Sequence, residues 1–198
     1  LPWITHASIQ NGSAVEDAGR AVLYRDVYRK PIVFDEVKYE GDVPRRWGNL
    51  TAEEMVHRFW QGTVAGTYVG HGETYWNPEE VLWWSKGGDL HGGSPARIAF
   101  LRGIAEADFT EGMVYSSDGS ASDRNPPYFG RRGVYYLHYF GFNQPSWKVF
   151  AMPAGERYRV DVIDTWAMTV TPAEGEFEGT FRVALPGRPY MAIRLRRI

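Results

Sequence analysis

The sequence has no cysteine, which excludes disulfides and thiolate metal sites and leaves the compartment open. Long apolar runs are missing too; nothing approaches the roughly 18 residues of a membrane span. Charge is balanced, with 22 basic and 24 acidic side chains and a net −2. That leaves no basic footprint for nucleic acid and no like-charged tail, so neither nucleic acid nor a membrane is expected as a partner. There is no phosphate loop, no dinucleotide fingerprint, no Gly-x-Ser-x-Gly elbow, no internal repeat and no low-complexity tract. His6, His57, His71, His91 and His138 show no ligand spacing such as His-x-x-x-His. The run Asp118 to Asp123 has oxygen ligands but lacks the distal glutamate of a calcium loop. No metal and no cofactor is expected.

What remains is a chain of 198 residues, 43% apolar, long enough for one large domain or two small ones. Aromatics make up 15% of it, including 8 tryptophans. It opens Leu1-Pro2-Trp3-Ile4 without an initiator methionine, and is expected to be the C-terminal part of a longer polypeptide.

The stretch Lys30 to Glu36 (KPIVFDE) organises the first half. It reads as a buried strand, β-branched in the middle, opened by a proline and closed by two carboxylates. Strict alternation puts Ile32, Phe34 and Glu36 on one side and Val33 and Asp35 on the other, with Asp35 toward the helix layer. Trp3–Gln10 reads as the strand before it. Ser13 and Glu16 form a capping box for a helix running to about Tyr28, with Ala14, Ala18, Ala21 and Val22 on one face. Residues 37–50 read as a polar loop. Thr51 and Glu54 form a second capping box, whose helix carries Met55, Val56, Phe59, Trp60 and Val64 on one side. Asn11 and Asn49 begin glycosylation sequons, but the Ser or Thr in each is explained more simply as a helix cap. Thr67–Glu73 is predicted as a third strand, and Ser94-Pro95 opens a third helix through Ala105, with Ile98, Leu101 and Ile104 inward.

This β-α-β-α-β-α order predicts parallel strands with helical crossovers. Two strand-to-helix loops, 37–50 and 74–93, are long, and both lie on the face that carries chemistry in barrel folds. From Asp108 onward the pattern changes to short β runs: Gly112–Ser117, Gly133–Phe140, Trp147–Met152, Tyr158–Trp166, Met168–Thr171, Glu176–Leu185 and Tyr190–Leu195. Turn residues at sandwich-like spacing separate them. Arg194, Arg196 and Arg197 are read as blunting a terminal edge strand. The fold class is therefore α/β plus all-β: residues 1–107 as the last three βα units of a barrel, 108–198 as a small antiparallel β-sandwich. Three βα units leave edges exposed, so a partner is expected, either the missing N-terminal barrel half or a second copy of the chain.

Glu36 is the candidate catalytic residue, an ionised carboxylate at the carboxyl end of an apolar strand. The competing reading is a surface carboxylate paired with Arg45 or Arg46. His71 and Glu73 end the third strand as a second acid–base pair, or as a turn device. His6 enters the site or faces the helices, depending on which side of its strand is inward. Trp47, Trp76 and their neighbours Tyr75, Trp83 and Trp84 offer flat faces suited to sugar rings, or plug the top of the barrel.

With these segments assembled, the chain resembles the last part of retaining (β/α)8 glycoside hydrolases, and among them the apiosidase-like group, whose barrel is followed by a small β-sandwich. Lys30 to Glu36 is similar to their seventh strand, which ends in the nucleophile, and Thr67 to Tyr75 to their eighth. Leu82 to Gly88 and Ser94 to Ile98 resemble the loop and helix that follow. Tyr139 to Asn143 and Val162 to Trp166 resemble the appended sandwich. The resemblance implies that Trp3–Gln10 is strand six and that Glu36 is the nucleophile. His6, His71, Glu73, Trp76 and Trp47 would line a carbohydrate pocket, with the acid/base carboxylate outside this chain. Retaining hydrolysis needs two carboxylates about 5–5.5 Å apart, so the isolated chain is expected to be inactive. The alternative is a non-catalytic carbohydrate-binding or structural sandwich on a degenerate barrel, holding a glycan on loop 118–132 with Tyr128 and Phe129.

Overall fold

Pro31 has no amide hydrogen for a ladder, but its carbonyl receives the Ala7 N–H at 2.9 Å. From that contact β1 (Ala7–Gln10) runs parallel to β2 (Ile32–Glu36), and β2 runs parallel to β4 (Tyr68–Val69), giving a three-stranded sheet of order β1-β2-β4. The computed structural model describes residues 2–10, 18–76, 88–116 and 127–198. Two compact units divide the chain, Leu1–Arg102 and Gly103–Ile198. The Ser13–Glu16 capping box, Trp83, Trp84 and Asp118–Asp123 lie outside the described residues.

In the first unit, α1 (Ala18–Tyr28) packs on β2 and on α2 (Ala52–Val64), and α2 packs on β4, so the helices share one face of the sheet. Ile32 and Phe34 are fully buried, with Phe34 edge-on to Tyr24 at 6.3 Å. The expected cap of α2 is present: Thr51 Oγ1 accepts the Glu54 N–H at 3.2 Å. Its expected apolar face is present as well, since Met55, Val56, Phe59, Trp60 and Val64 are all buried. Each such side chain contributes about 1.5–3 kcal/mol by leaving water. Helix α3 runs Ser94–Asp108, three residues beyond the expected end, with Leu101 and Ile104 buried.

Two expectations for this unit need correcting. Thr67–Glu73 is not one strand. It divides into β4, on the main sheet, and β5 (Glu73–Thr74), which pairs with a short β3 (Glu40–Gly41) inside the supposed loop 37–50. The division falls at Gly70, whose N–H donates to Phe34 O at 2.8 Å and where a Cβ would lie 2.6 Å from the Asp35 carbonyl oxygen. The second correction concerns Asp35. It is exposed on the face away from the helices, where it accepts a hydrogen bond from Ser8 Oγ at 2.6 Å.

The second unit is mostly antiparallel sheet. Its strands are β6 (Val114–Ser116), β7 (Tyr128–Arg131), β8 (Tyr135–Tyr139), β9 (Trp147–Ala151), β10 (Arg157–Asp164), β11 (Thr169–Pro172), β12 (Phe177–Glu178), β13 (Thr180–Ala184) and β14 (Met191–Arg197). The larger sheet has the order β11-β10-β14-β8-β7-β6 with β12 against β10, and β9 pairs with β13 separately. Phe150 and Val183 from the small sheet share one apolar core with Tyr136, Tyr158, Val160, Ile193 and Leu195 from the large one.

The last strand is not an edge. β14 lies between β10 and β8, and Met191 through Leu195 are all buried, Arg194 included. Arg194 can be central because it is neutralised on both sides. Its Nη1 lies 2.6 Å from Asp108 Oδ2 and its Nη2 2.7 Å from Asp161 Oδ2. Burial by itself would lower the guanidinium pKa, but the hydrogen bonds and charges of Asp161 and Asp108 outweigh that and raise it. Tyr128 and Phe129 are also corrected: they belong to a strand and are buried, not displayed on a loop.

Candidate active site

The carboxyl end of β2 breaks the alternation that a strand imposes. Ser8 pairs with Val33, but Gln10 pairs with Glu36, so β2 carries one more residue than β1 over that interval. Such a bulge re-aims a side chain. Glu36 therefore leaves the face of Ile32 and Phe34 and joins Ser8, Gln10 and Asp35 on the side opposite the helices. Gln10 Nε2 donates to Glu36 Oε1 at 2.6 Å. The half-buried Glu36 is thus held at the carboxyl end of a parallel sheet, the place where α/β folds assemble their chemistry.

The loop after β2 brings Tyr39 close to the same carboxylate. Burial first, and then the neighbouring Glu36 and Asp35 carboxylates, push the Tyr39 phenol up from 10.0 to about 12, so at neutral pH it keeps its proton. The tyrosine is fixed from several sides. Its N–H donates to Trp47 O at 2.8 Å, its carbonyl accepts from Leu50 N at 3.0 Å, and its ring meets Trp47 edge-on at 5.9 Å. The ring also lies over Gly72, where a Cβ would be 2.4 Å from Tyr39 Cδ1.

Beside this lies a cluster organised around the start of α3. Glu40 is fully buried. Its Oε1 accepts from Tyr75 Oη at 2.7 Å and from the Gly93 N–H at 2.8 Å, and its Oε2 accepts from the Ser94 N–H at 3.1 Å. Burial would raise its pKa, but the hydrogen bonds from Ser94, Tyr75 and Gly93 together hold it below the ordinary value. Glu73 Oε2 accepts from the His91 N–H at 2.7 Å and from Gly92 N at 3.1 Å. The two carboxylates thus take up the free amides that lead into and begin α3, where the helix dipole favours negative charge. His71 Nε2 sits 3.0 Å from Ser94 Oγ and 3.8 Å from Glu73 Oε1, and burial lowers its pKa despite the Glu73 and Glu40 charges.

Glu40, His71 and Glu73 bring ligand atoms within 4.8 Å of one another, close enough for a cation. The donor set argues for a different role: Oε1 and Oε2 of both carboxylates already face backbone or hydroxyl hydrogens. The cluster is a clasp on the N-terminus of α3.

The predicted residues are thus divided. Glu36 is held by Gln10, Trp47 packs on Tyr39 in the loop that follows, and His71 and Glu73 join Glu40 in the neighbouring clasp. Trp76 stands 72% exposed after β5, its N–H on the Asp42 carboxylate. His6 precedes β1, exposed and hydrogen-bonded to Thr5 Oγ1 at 2.9 Å. Four residues of strand, about 13 Å, separate it from Gln10, so it is not brought to Glu36. Sequence reasoning missed Gln10, Tyr39 and Glu40. Gln10 gives no local signal because its role depends on register. Glu40 and Tyr39 sit in a stretch whose polarity reads as loop.

Several solved structures share this architecture. A Bacteroides vulgatus protein, provisionally named a glycoside hydrolase, matches at 32% identity and a TM-score of 0.86, over 100% of this chain and 42% of that one. A family 5 glycoside hydrolase from the same organism matches at 13% identity and a TM-score of 0.67, over 98% of this chain and 51% of the other. Another protein, named only as a glycoside hydrolase, matches at 13% identity and a TM-score of 0.63, over 89% of this chain and 46% of its own. The chain therefore spans about half or less of the length of each. A family model described as a domain of unknown function, DUF5605, matches residues 125–196. No curated protein sequence matches significantly. The fold is glycoside hydrolase-like.

Proposed function

We propose that this chain is the C-terminal part of a retaining glycoside hydrolase in which Glu36 is the nucleophile. One observation carries the reading: a register bulge turns Glu36 onto the helix-free face at the carboxyl end of a parallel sheet, where Gln10 donates to it. The likeness at 32% identity over the whole chain supports it. On this reading β1, β2 and β4 are strands six to eight of a (β/α)8 barrel of the apiosidase-like kind, and the exposed edges of β1 and β4 receive the remaining strands or a second copy.

The chemistry follows from the placement. Glu36 attacks the anomeric carbon of a bound glycoside while an acid from the rest of the barrel protonates the leaving oxygen. Water then resolves the glycosyl-enzyme, with that second carboxyl now acting as base. The Gln10 amide aims the Glu36 carboxylate before substrate arrives. Trp47 and Trp76 offer apolar faces to the sugar.

The test uses the longer polypeptide and an activated 2-fluoro glycoside. Label on the peptide carrying Glu36, together with loss of turnover in Glu36→Gln, is the expected result. Label on another carboxylate overturns the assignment. The 198-residue chain alone should not hydrolyse glycosides; turnover by it, lost in Glu36→Gln, would point to Glu73 as a second carboxylate.

A further inference from the structure

We propose that the outer face of the larger sheet in the second unit is a binding site for acidic glycans, with Arg131, Arg159 and Arg196 gripping uronate carboxylates. The choice of a glycan rests on the glycoside hydrolase reading above, but none of these residues is among those assigned to catalysis.

Register places the three on one row. Arg159 of β10 stands directly opposite Arg196 of β14, Arg196 opposite Tyr135 of β8, and Tyr135 opposite Arg131 of β7. Directly paired residues share a face, so the four side chains project to the same side. Tyr158, Val160, Tyr136 and Leu195 alternate with them and fill the core, which makes that side the outer one. With strands about 4.8 Å apart, the row spans about 14 Å. Tyr135 is buried against Phe109 and its hydroxyl donates to Asp108 at 3.0 Å, so the guanidiniums are what the row offers to solvent.

The arrangement works against the fold. Like charges directly opposite on neighbouring strands repel, and Arg159 and Arg196 are such a pair. Asp161 Oδ2 lies 2.9 Å from Arg196, but the same oxygen already holds Arg194 at 2.7 Å. Among the described residues, neither Arg131 nor Arg159 has a carboxylate within ion-pair reach, and both are exposed. The Arg196 side chain is 44% exposed. The neighbouring acids Glu156 and Glu176 are taken by Arg197 and Arg157. A net charge of −2 over the whole chain conceals this local excess of cation. Local conflict of this kind concentrates at functional surfaces.

Guanidiniums bind carboxylates through two parallel hydrogen bonds, and a row of them matches a linear polymer with a carboxylate on each sugar. Nucleic acid would also meet the positive charge, but the aromatic ring in the row, Tyr135, is buried and offers bases no stacking surface.

Binding of a fluorescein-labelled oligogalacturonate to the 198-residue chain, read by anisotropy, tests this without turnover, so its outcome is independent of Glu36. Saturable binding is expected that weakens as NaCl is added, while a neutral oligogalactoside of equal length does not bind. Arg131→Gln combined with Arg159→Gln should weaken it at least about tenfold, from the loss of two charge-assisted contacts. The thermal midpoint of that double variant should stay or rise, because opposed charge is removed. Arg182→Gln, which removes an exposed cation from β13, should bind within about twofold of wild type. No binding, or undiminished affinity in the double variant, overturns the proposal. Equal affinity for single-stranded DNA of the same charge overturns the glycan assignment in favour of a general polyanion surface. Binding by the chain that is absent in the longer polypeptide means that another part of that protein covers the row, and overturns the proposal as well.

Discussion

Gln10 and Glu36 face each other across β1 and β2 one residue out of step with the ladder, joined Nε2 to Oε1 at 2.6 Å. The slip is what moves the carboxylate. Without it, Glu36 would share the buried face with Ile32 and Phe34, where an unpaired charge costs several kcal/mol. With it, the carboxylate meets the Gln10 amide on the face that carries no helix.

That pairing gives the first prediction. Gln10→Leu removes a donor from the carboxylate without opening the core, because Gln10 is exposed. Turnover by the longer protein should fall about tenfold, while the thermal midpoint moves by no more than about two degrees. Steady-state kinetics beside a melting curve decide it, and undiminished kcat/KM would remove Gln10 from the site.

Glu40 should control acid stability. Its folded pKa lies below the ordinary 4.5, so ionisation favours the fold. That contribution is complete above the unfolded value and is lost as pH falls through the lower folded one. Glu40→Gln sets an amide against backbone hydrogens and should cost about 2–3 kcal/mol at pH 7. The gap from wild type should then narrow below about pH 4. Urea melts at both pH values are the measurement; a pH-independent gap would contradict the linkage.

Arg194 is buried between Asp108 and Asp161 in the middle strand of the larger sheet. Arg194→Met removes the guanidinium from both carboxylates; among the described residues Asp161 keeps Arg196 at 2.9 Å and Asp108 keeps the Tyr135 hydroxyl at 3.0 Å. A loss of about 3–5 kcal/mol is expected, read as a lower urea midpoint at constant slope. Arg194→Lys should recover only part of it, since an ammonium cannot reach both partners as a fork does.

Thr51 tests the local end of the scale. Thr51→Ala deletes the acceptor for the Glu54 N–H and should cost about 1 kcal/mol. Amide exchange in the first turn of α2 should accelerate, with α3 unaffected.

The Glu40–His71–Glu73 cluster should behave as a clasp and not as a metal centre. Excess EDTA, and separately added Zn2+, are each expected to leave the thermal midpoint unchanged, because backbone and hydroxyl hydrogens already occupy the carboxylate oxygens. A chelator-induced fall in the midpoint would reverse that assignment.

The sequence by itself determined whatever depends on neighbours along the chain. Thr51 and Glu54 announce the start of α2, the spacing of Met55, Phe59 and Trp60 announces its buried face, and the alternation in Tyr158–Val162 announces a strand. Only the tertiary structure decided matters of pairing between distant segments. The slip that turns Glu36 outward is a property of β1 against β2, 26 residues apart. The burial of Glu40 depends on amides that arrive from residues 93 and 94. The last strand, whose arginines read as an exposed edge, is central because Asp108 and Asp161 neutralise Arg194 there. Local propensity fixes elements, whereas the free energy of a charge is set by the partners that folding brings to it.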